Sequence, residues 1–478
     1  LCNGLEKASG MRYNNYVTKG ESDVKKLFAV AGAAIMLASV CLTGACAGIR
    51  ENASVHDPSV FYDEASGTYY AFGSHFAVAS SKDLVNWRQV SSDNEAEKLY
   101  GTSDWKSVLT AGVAEVNPDA SIVSTWAPDV EYYNGKYYMY YSLTYAFGSN
   151  YSAIGRVSAD SVTGPYSGDT VVLSSVGADS SSPNCIDPEL FYDKDGRLWM
   201  VYGSFFGGIY VTELYNEGEN WGLPKQSGYG TRVWANPSAG VEGAFIFYNA
   251  DTDYYYLITS HGSLSTNYNM RVARSKSPDG PYEGITGENV ALNGEAAYKL
   301  AGNYIVGDAQ GYAAIGHCSV AEKDGEFFVV AHSRREDEAT GGVTGAHEMW
   351  TAKLLFNEDG WPVMSPCRYT GEEARSFGAS EIAGSYDVVL HETFTTDRFV
   401  QSEEYTFAAD GKITLAATGA ELGSWTLSDD GKYITVELNG TPYKGVVAEC
   451  RQTYSGGGSV VCVSAVSADG RMLWAIGR

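Results

Sequence analysis

One pattern of polar and apolar residues recurs five times along the chain. Each copy begins with an acidic or polar residue, continues through a short apolar stretch to a turn, and ends in a stretch dense in Tyr or Phe. The copies start at His56, Ala127, Ile186, Val241 and His317. Turn residues such as Asn-Gly and Asp-Gly tolerate positive φ and lie between β-branched and aromatic runs. The pattern therefore predicts a β-hairpin in each copy.

The spacing of the copies predicts how the hairpins are arranged. Consecutive copies start about 55 to 75 residues apart, which leaves room for a four-stranded blade and a loop. Five such units predict an all-β fold with a five-bladed β-propeller. Helical periodicity is nearly absent after residue 48, which disfavours an α/β barrel. The alternative is a set of ordinary hairpins within a large β-sandwich.

A polar residue occupies the same position in every copy, at the start of the first strand. These residues are Asp57, Asp129, Asp187, Glu242 and His317. The innermost strands of a propeller surround a central axis, so residues in the same phase meet near one end of that axis. We therefore expect carboxylates that are far apart in the sequence to meet in one pocket.

The repeat stops after Tyr369 in a chain of 478 residues. We assign residues 49–369 to the propeller and residues 370–384, which are polar and small, to a linker. Residues 385–478 contain alternating strands separated by Asp-Gly turns. They predict a small antiparallel β-barrel or sandwich that carries no obvious catalytic constellation.

The N-terminal region predicts export. Residues 24–48 combine a pair of lysines, an apolar run and small residues, as a signal peptide does, whereas residues 1–23 match neither a signal nor a domain. The run is too short for a transmembrane span, which needs roughly 20 apolar residues, so we expect none in the mature protein. The sequence before Cys46 faintly resembles a lipobox, which leaves a cell-surface lipoprotein as the alternative to a freely secreted protein.

Net charge and aromatic content indicate which kind of partner the protein binds. The formal net charge is -25, which argues against nucleic acid and anionic lipid and favours a neutral substrate. The chain also has 35 Tyr and 10 Trp, a composition that suits sugar-facing aromatic surfaces.

The cysteines at 185, 318, 367, 450 and 462 lack C-x-x-C spacing, so a zinc site or a disulfide framework is not expected, although Cys450 and Cys462 could pair.

Three of the carboxylates suit the hydrolysis of a glycosidic bond with inversion. That reaction needs one carboxylate as base toward water and one carboxylic acid to protonate the leaving oxygen. Asp57, in His-Asp-Pro, and Glu242, in Val-Glu-Gly-Ala, fit these roles. Asp187 repeats the Asp-Pro motif and could raise the pKa of the acid as a neighbouring negative charge. An isolated Asp-Pro is more often only a turn signal.

Several motifs, taken in order, resemble glycoside hydrolase family 43, and within it the endo-α-1,5-L-arabinanases, over about residues 50–370. The motifs are HDPSV at His56, STWAPDV at Ser124, NCIDPELF at Asn184, YGSF at Tyr202, VEGAF at Val241, HEM at His347 and DGWPV at Asp359. The resemblance implies Asp57 as general base, Glu242 as general acid and Asp187 as the residue that orients the acid and modulates its pKa.

The resemblance also implies where the substrate binds. Trp126 and Asp129 would shape the pocket wall. The sugar subsite would be lined by Asn184, Cys185, Ile186, Gly203, Ser204 and Phe205. The segment from residue 385 resembles the small C-terminal domain of longer extracellular arabinanases.

Arabinanases of this kind usually carry one metal ion, commonly calcium, on the propeller axis, held by a histidine and waters. His347 matches that histidine by its motif, and no organic cofactor is implied. Calcium prefers oxygen ligands, so the residues alone do not suggest it. His317 is a second histidine expected to face the axis.

The expected function is endo-hydrolysis of plant cell-wall arabinan or arabino-oligosaccharides. One alternative is an exo-acting α-L-arabinofuranosidase or β-xylosidase on the same propeller, because these enzymes share the three carboxylates. Another is a propeller that binds glycan without cleaving it, which the presence of all three carboxylates disfavours. The Trp-Met-Asn-Asp-Pro-type nucleophile motif of fructan-cleaving propellers is absent.

Overall fold

Four antiparallel four-stranded sheets follow one another along the chain in the computed structural model, which describes residues 53–117, 123–452 and 457–478. The predicted signal peptide and Cys46 lie outside these ranges. The first two sheets consist of β1 Ser59–Asp63, β2 Thr68–Phe72, β3 Val78–Ser81, β4 Arg88–Ser91, and β5 Ser124–Tyr133, β6 Lys136–Thr144, β7 Ser152–Ala159, β8 Ser167–Ser174. The next two consist of β9 Glu189–Tyr192, β10 Leu198–Tyr202, β11 Ile209–Leu214, β12 Thr231–Trp234, and β13 Val241–Asn249, β14 Tyr254–His261, β15 Asn269–Ser275, β16 Tyr298–Ala301.

These four sheets are four-stranded blades of a β-propeller, and a larger sheet of seven strands follows them along the chain. The seven strands are β17 Tyr304–Ile305, β18 Tyr312–Lys323, β19 Glu326–Asp337, β20 Gly342–Val343, β21 Glu348–Phe356, β22 Pro362–Met364 and β24 Val400–Gln401. Strand β24 comes from the C-terminal part of the chain and pairs in parallel with β17.

The C-terminal strands close into an eight-stranded antiparallel barrel, which decides between the barrel and sandwich expected from the sequence. Pairing of β23 with β31 closes it. Its strands are β23 Gly384–Leu390, β25 Glu403–Phe407, β26 Lys412–Leu415, β27 Glu421–Leu427, β28 Tyr433–Leu438, β29 Thr441–Arg451, β30 Ser459–Ser467 and β31 Met472–Gly477.

Helices are short in the described ranges, as the lack of helical periodicity predicts. They are α1 Ala96–Tyr100, α2 Thr110–Val116, α3 Ala379–Ile382, and the 3₁₀ helices Ser74–Phe76 and Trp105–Ser107. Helix α3 lies inside the stretch predicted as a linker. None of the described helices has the length and apolar character needed to cross a bilayer.

The turn residues form the tight hairpins that the sequence predicts. Asn134 and Gly135 both have positive φ between β5 and β6, and Asp324 and Gly325 have it between β18 and β19. Two consecutive positive φ angles characterise a type I′ turn, whose twist matches that of the flanking strands. The turns thereby fix the register of strands whose other ends reach the propeller axis.

One hydrophobic core joins the seven-stranded sheet to the barrel. Trp350 of the sheet and Trp361, which directly precedes β22, share it with Trp474 and Cys450 of the barrel, and all four are buried. The described cysteines are free and buried, so the pairing considered for Cys450 and Cys462 is not formed. A shared core of this size predicts that the barrel and propeller unfold together.

Candidate active site

Four residues that lie just before or within β1, β9, β13 and β18 share a left-handed backbone conformation. Their φ angles are 55° at Asp57, 57° at Asp187, 57° at Gly243 and 46° at His317. Non-glycine residues adopt such angles only where the surrounding structure holds them there. The sequence pattern predicts that Glu242 takes the position equivalent to Asp57. In the structure Gly243 takes that position, and Glu242 lies one residue before it.

Asp57 is surrounded by donors. Its Oδ1 lies 3.1 Å from His317 Nδ1 and 3.2 Å from His56 Nε2, and Ser74 Oγ donates to its Oδ2 at 2.5 Å. Its backbone N–H donates to His332 Nδ1 at 3.2 Å. Although burial opposes it, the charges of His317 and His56 hold the pKa of Asp57 well below its ordinary value. Asp57 is therefore ionised across the neutral range, as a base must be.

The pKa of Glu242 is shifted in the opposite direction to that of Asp57. Burial raises its pKa, and the nearby charge of Asp57 adds to this, against the lowering effect of His317. Ser204 Oγ donates to Glu242 Oε2 at 3.0 Å, and the Tyr268 hydroxyl also hydrogen-bonds this carboxyl group. A carboxyl group with a raised pKa retains its proton at a pH where Asp57 has lost its own.

Asp187 lies beside Glu242. Burial, together with the charges of Glu242 and Asp57, raises the pKa of Asp187 to about 7. The Gly243 backbone N–H donates to Asp187 Oδ2 at 3.2 Å, and the Asp187 N–H donates to Ser142 Oγ at 3.0 Å. The first bond ties Asp187 to Gly243, the residue that follows Glu242. Asp187 is therefore placed both to orient the backbone next to Glu242 and to influence the charge of the Glu242 carboxyl group.

His317 is a cation at the centre of the three carboxyl groups. Burial opposes its protonation, but Asp57, Asp187 and Glu242 raise its pKa to about 9. Its ring also fills the space that a side chain at Gly243 would need, because a Cβ there would lie 2.9 Å from His317 Cγ. The sequence pattern placed His317 on the axis but gave it no role in the carboxylate chemistry.

The predicted sugar subsite is assembled from neighbouring backbone segments. Gly203 N–H donates to Ile186 O at 2.9 Å, and Phe205 N–H donates to Val241 O at 2.7 Å. Residues 184–187 and 203–205 therefore lie next to Glu242. Asn184 Oδ1 is buried and accepts no hydrogen bond from the described residues.

Two residues of the predicted subsite are buried in hydrophobic surroundings. Cys185 belongs to the core around Tyr140 and Met200, and its backbone N–H donates to Ser175 Oγ at 3.0 Å. The Ile186 side chain is also buried. The side chains of these two residues therefore pack the wall behind the site.

Trp126 and Asp129 lie in different surroundings. Trp126 is half-buried and its ring lies 5.9 Å from that of Phe147, which is 83% exposed. Asp129 is buried and its oxygens accept hydrogen bonds from Ser59 Oγ at 2.8 Å and Leu190 N–H at 2.9 Å. Asp129 therefore ties three blades together through its two carboxylate oxygens.

His347 lies in a group of imidazoles. A ligand atom of each of His56, His332 and His347 lies within 4.8 Å of the others. His347 Nε2 also lies 2.7 Å from Arg334 Nη2. Three nitrogen donors beside a guanidinium do not suit calcium, which prefers oxygen ligands. The histidine among the carboxylates is His317.

A small cavity lies among the carboxylates of the site. Asp57, Asp187, Glu189 and His317 line it together with Pro and small residues. His347 is not among the described residues that line it.

A buried site that holds one carboxylate with a lowered pKa and one carboxyl group with a raised pKa is the arrangement an inverting glycoside hydrolase needs. More particularly, residues 51–362 match the family model "Glycosyl hydrolases family 43", and the chain belongs to this family. Residues 366–475 match the model "C-terminal lipocalin-like domain".

Relatives resemble the chain over most of its length. It is 36% identical to an extracellular endo-α-(1→5)-L-arabinanase of Thermotoga petrophila, over 89% of this chain and 93% of the relative. It is 38% identical to extracellular endo-α-(1→5)-L-arabinanase 2 of Bacillus subtilis, over 72% and 77% respectively. The crystal structure of the endo-1,5-α-L-arabinanase from Thermotoga petrophila has a TM-score of 0.80 at 35% identity and covers 89% of this chain and 99% of that one.

Proposed function

We propose that the protein hydrolyses internal α-1,5-L-arabinofuranosyl bonds of plant cell-wall arabinan with inversion. The observation that carries this proposal is the convergence of Asp57, Asp187 and Glu242 in one buried site, where the pKa shifts of Asp57 and Glu242 have opposite directions. The similarity to proteins named as endo-arabinanases, over both the propeller and the barrel, supports the choice of substrate and of internal cleavage.

The proposed mechanism assigns one role to each carboxyl group. Asp57, held ionised by His317 and His56, accepts a proton from the water that attacks the anomeric carbon. Glu242 donates its proton to the leaving glycosidic oxygen on the opposite face of the sugar. Asp187 keeps the strand start at Gly243 in place and favours the protonated form of Glu242.

We propose that the substrate is bound by the residues around this centre. Asn184 Oδ1 and the backbone at Gly203–Phe205 would contact the sugar whose bond is cut. The Trp126 and Phe147 rings form an exposed aromatic surface at the neighbouring blade, on which a further arabinosyl ring can stack. This proposal includes Phe147, which the sequence analysis did not single out.

Product analysis on linear debranched arabinan tests the proposal. The wild type is expected to release a ladder of short oligosaccharides, and Glu242→Gln, which keeps the shape of the side chain, is expected to release none. Release of arabinose alone from the start would favour the exo-acting alternative. Binding of arabinan without any product would favour a glycan-binding propeller.

A single metal ion, with calcium as the expected identity, remains part of the proposal. The proposed location is His347, as the family resemblance implies, where one ligand atom each of His56, His332 and His347 lies within 4.8 Å of the others. A bound cation would stabilise the ionised forms of the carboxylates around it. Chelation is then expected to lower the melting temperature, calcium to restore it, and an unchanged melting temperature would contradict the assignment.

We also propose that the seven-stranded sheet is the fifth blade. The first strands support this, because β1 contacts β5, β5 contacts β9, β9 contacts β13, β13 contacts β18, and β18 contacts β1.

The boundaries at residues 49–369 and 385–478 remain proposals, supported by the start of β23 at Gly384. Secretion remains a proposal supported by the signal-like sequence, and lipid attachment at Cys46 is its alternative.

A further inference from the structure

Tyr268 occupies a specific place between the two halves of the active site. It directly precedes β15, is 1% exposed, and its ring stacks on that of His332 with 5.7 Å between centroids and 10° between planes. The space for the ring exists because residue 316 is glycine, since a Cβ there would lie 2.3 Å from Tyr268 Cδ1. This packing leaves the ring little freedom to move.

The hydroxyl of Tyr268 reaches the acid. It hydrogen-bonds the Glu242 carboxyl group, which also accepts a bond from Ser204 Oγ at 3.0 Å. The ring of His332, on which Tyr268 stacks, accepts the backbone N–H of Asp57. Tyr268 therefore contacts the acid directly and the base through one intervening residue.

The loop that carries Tyr268 is held by the C-terminal part of the chain. We call residues 391–398, which lie between β23 and β24, the strap. Asn267 Oδ1 accepts the Ser263 N–H at 2.7 Å, and Asn267 Nδ2 donates to Asp397 Oδ1 of the strap, also at 2.7 Å. Asn269 Nδ2 donates to Thr395 Oγ1 of the strap at 3.2 Å. The residues on both sides of Tyr268 are thus bonded to the strap.

Two buried basic side chains fix the strap itself. Arg271 Nη2 donates to Thr393 O at 2.9 Å, and Lys299 Nζ donates to Phe394 O at 2.5 Å. The two residues are only 2% and 4% exposed, respectively. Buried polar groups are costly unless they are hydrogen-bonded, so displacing the strap carbonyls would leave both without these partners.

We propose that Tyr268 is a positioning residue for Glu242, and that the strap of the C-terminal unit holds Tyr268 in place. This inference rests on the proposed function of Glu242 as the general acid. The barrel thereby acts on catalysis through the strap, Asn267 and Tyr268.

The direction of the effect follows from the hydrogen bond. A hydroxyl that donates to a carboxylate favours the ionised form, so the bond limits how far the pKa of Glu242 rises. Tyr268→Phe removes the bond and is expected to move the alkaline limb of the kcat profile upward by about one pH unit. Without this hydrogen bond the Glu242 side chain is held less firmly, which should also lower kcat at the optimum by roughly 5- to 20-fold. A purely structural defect would lower kcat without moving the limb upward.

The experiment compares pH profiles of kcat on debranched arabinan. Tyr268→Phe is measured beside Tyr282→Phe, a control that removes another buried hydroxyl, whose partner is the carbonyl of Pro278. Asp397→Ala is measured beside Asp410→Ala, which removes a barrel carboxylate outside the strap. We expect an upward shift in Tyr268→Phe, a smaller one in Asp397→Ala, and none in the controls. An unshifted limb in Tyr268→Phe would overturn the inference, and an unshifted limb in Asp397→Ala would overturn the role of the strap.

A second measurement does not depend on activity. If Tyr268→Phe raises the native pKa of Glu242, the variant binds more protons than the wild type between the two values. Its free energy of unfolding must then fall relative to the wild type as pH rises through that interval. A difference that is constant with pH would overturn the inference. An inactive wild type would contradict the proposed function, and this second measurement would still decide the role of Tyr268.

Discussion

Gly243→Ala is a sharp test of the active-site geometry. The residue has a φ of 57°, and an added Cβ would lie 2.9 Å from His317 Cγ and 3.1 Å from His317 Cα. The left-handed conformation costs an alanine about 1–2 kcal/mol, and overpacking of a buried site costs about 1–3 kcal/mol more. We therefore expect Gly243→Ala to lower the free energy of unfolding by about 2–5 kcal/mol.

The matched control separates the two contributions. Gly196 has a φ of 78°, and nothing lies within 4 Å of a Cβ added there, so Gly196→Ala should show only the backbone cost. Urea unfolding of both variants gives the difference, expected to be about 1–3 kcal/mol. The activity of Gly243→Ala should fall at least tenfold because Glu242 precedes the displaced residue. Equal destabilisation of the two variants would refute the contact between Gly243 and His317.

Two further substitutions test the charges and the aromatic surface. His317→Gln should move the acid limb of the pH profile upward, because His317 helps to keep Asp57 ionised; an unmoved limb would contradict this. The pKa of His317 is raised from 6.5 to about 9, so its stabilising contribution is fully present below pH 6.5 and lost as pH rises through about 9. The unfolding free-energy difference between wild type and His317→Gln should shrink over that interval, and a constant difference would argue against the ion pair. Phe147→Ala should raise KM for arabinan roughly 5- to 10-fold with little change in kcat, as loss of one stacking contact predicts, whereas Tyr132→Ala, at another exposed aromatic residue, should leave KM unchanged.

The repeat made much of this site predictable. Asp57 and Asp187 lie two residues before β1 and β9, and His317 lies within β18, which contacts β1. Such positions on the innermost strands converge on the axis of a propeller. Their convergence could be expected from the sequence because a repeat fixes phase without any knowledge of loops. The family resemblance then distinguished their roles, which equal phase alone does not do.

The remaining features depend on details that a repeat does not encode. Gly243, rather than Glu242, is equivalent to Asp57 because Gly243 has a left-handed backbone and the register of β13 is irregular there. Asp129 kept the expected phase, but its oxygens are used by Ser59 and Leu190 of neighbouring blades. Tyr268 belongs to a loop whose conformation depends on the strap, which is more than 120 residues further along the chain.

The dependence of activity on the leaving group tests the acid and base assignment most directly. Arabinan and an arabino-oligosaccharide with a nitrophenolate leaving group would be compared in Glu242→Ala and Asp57→Ala. On arabinan both variants should lose about 10²–10⁴-fold in kcat. On the activated substrate Glu242→Ala should recover at least tenfold, because nitrophenolate leaves without a proton, whereas Asp57→Ala should not recover, because water still needs a base. Equal losses on both substrates in Glu242→Ala, or recovery in Asp57→Ala, would contradict the assignment of Glu242 as acid and Asp57 as base.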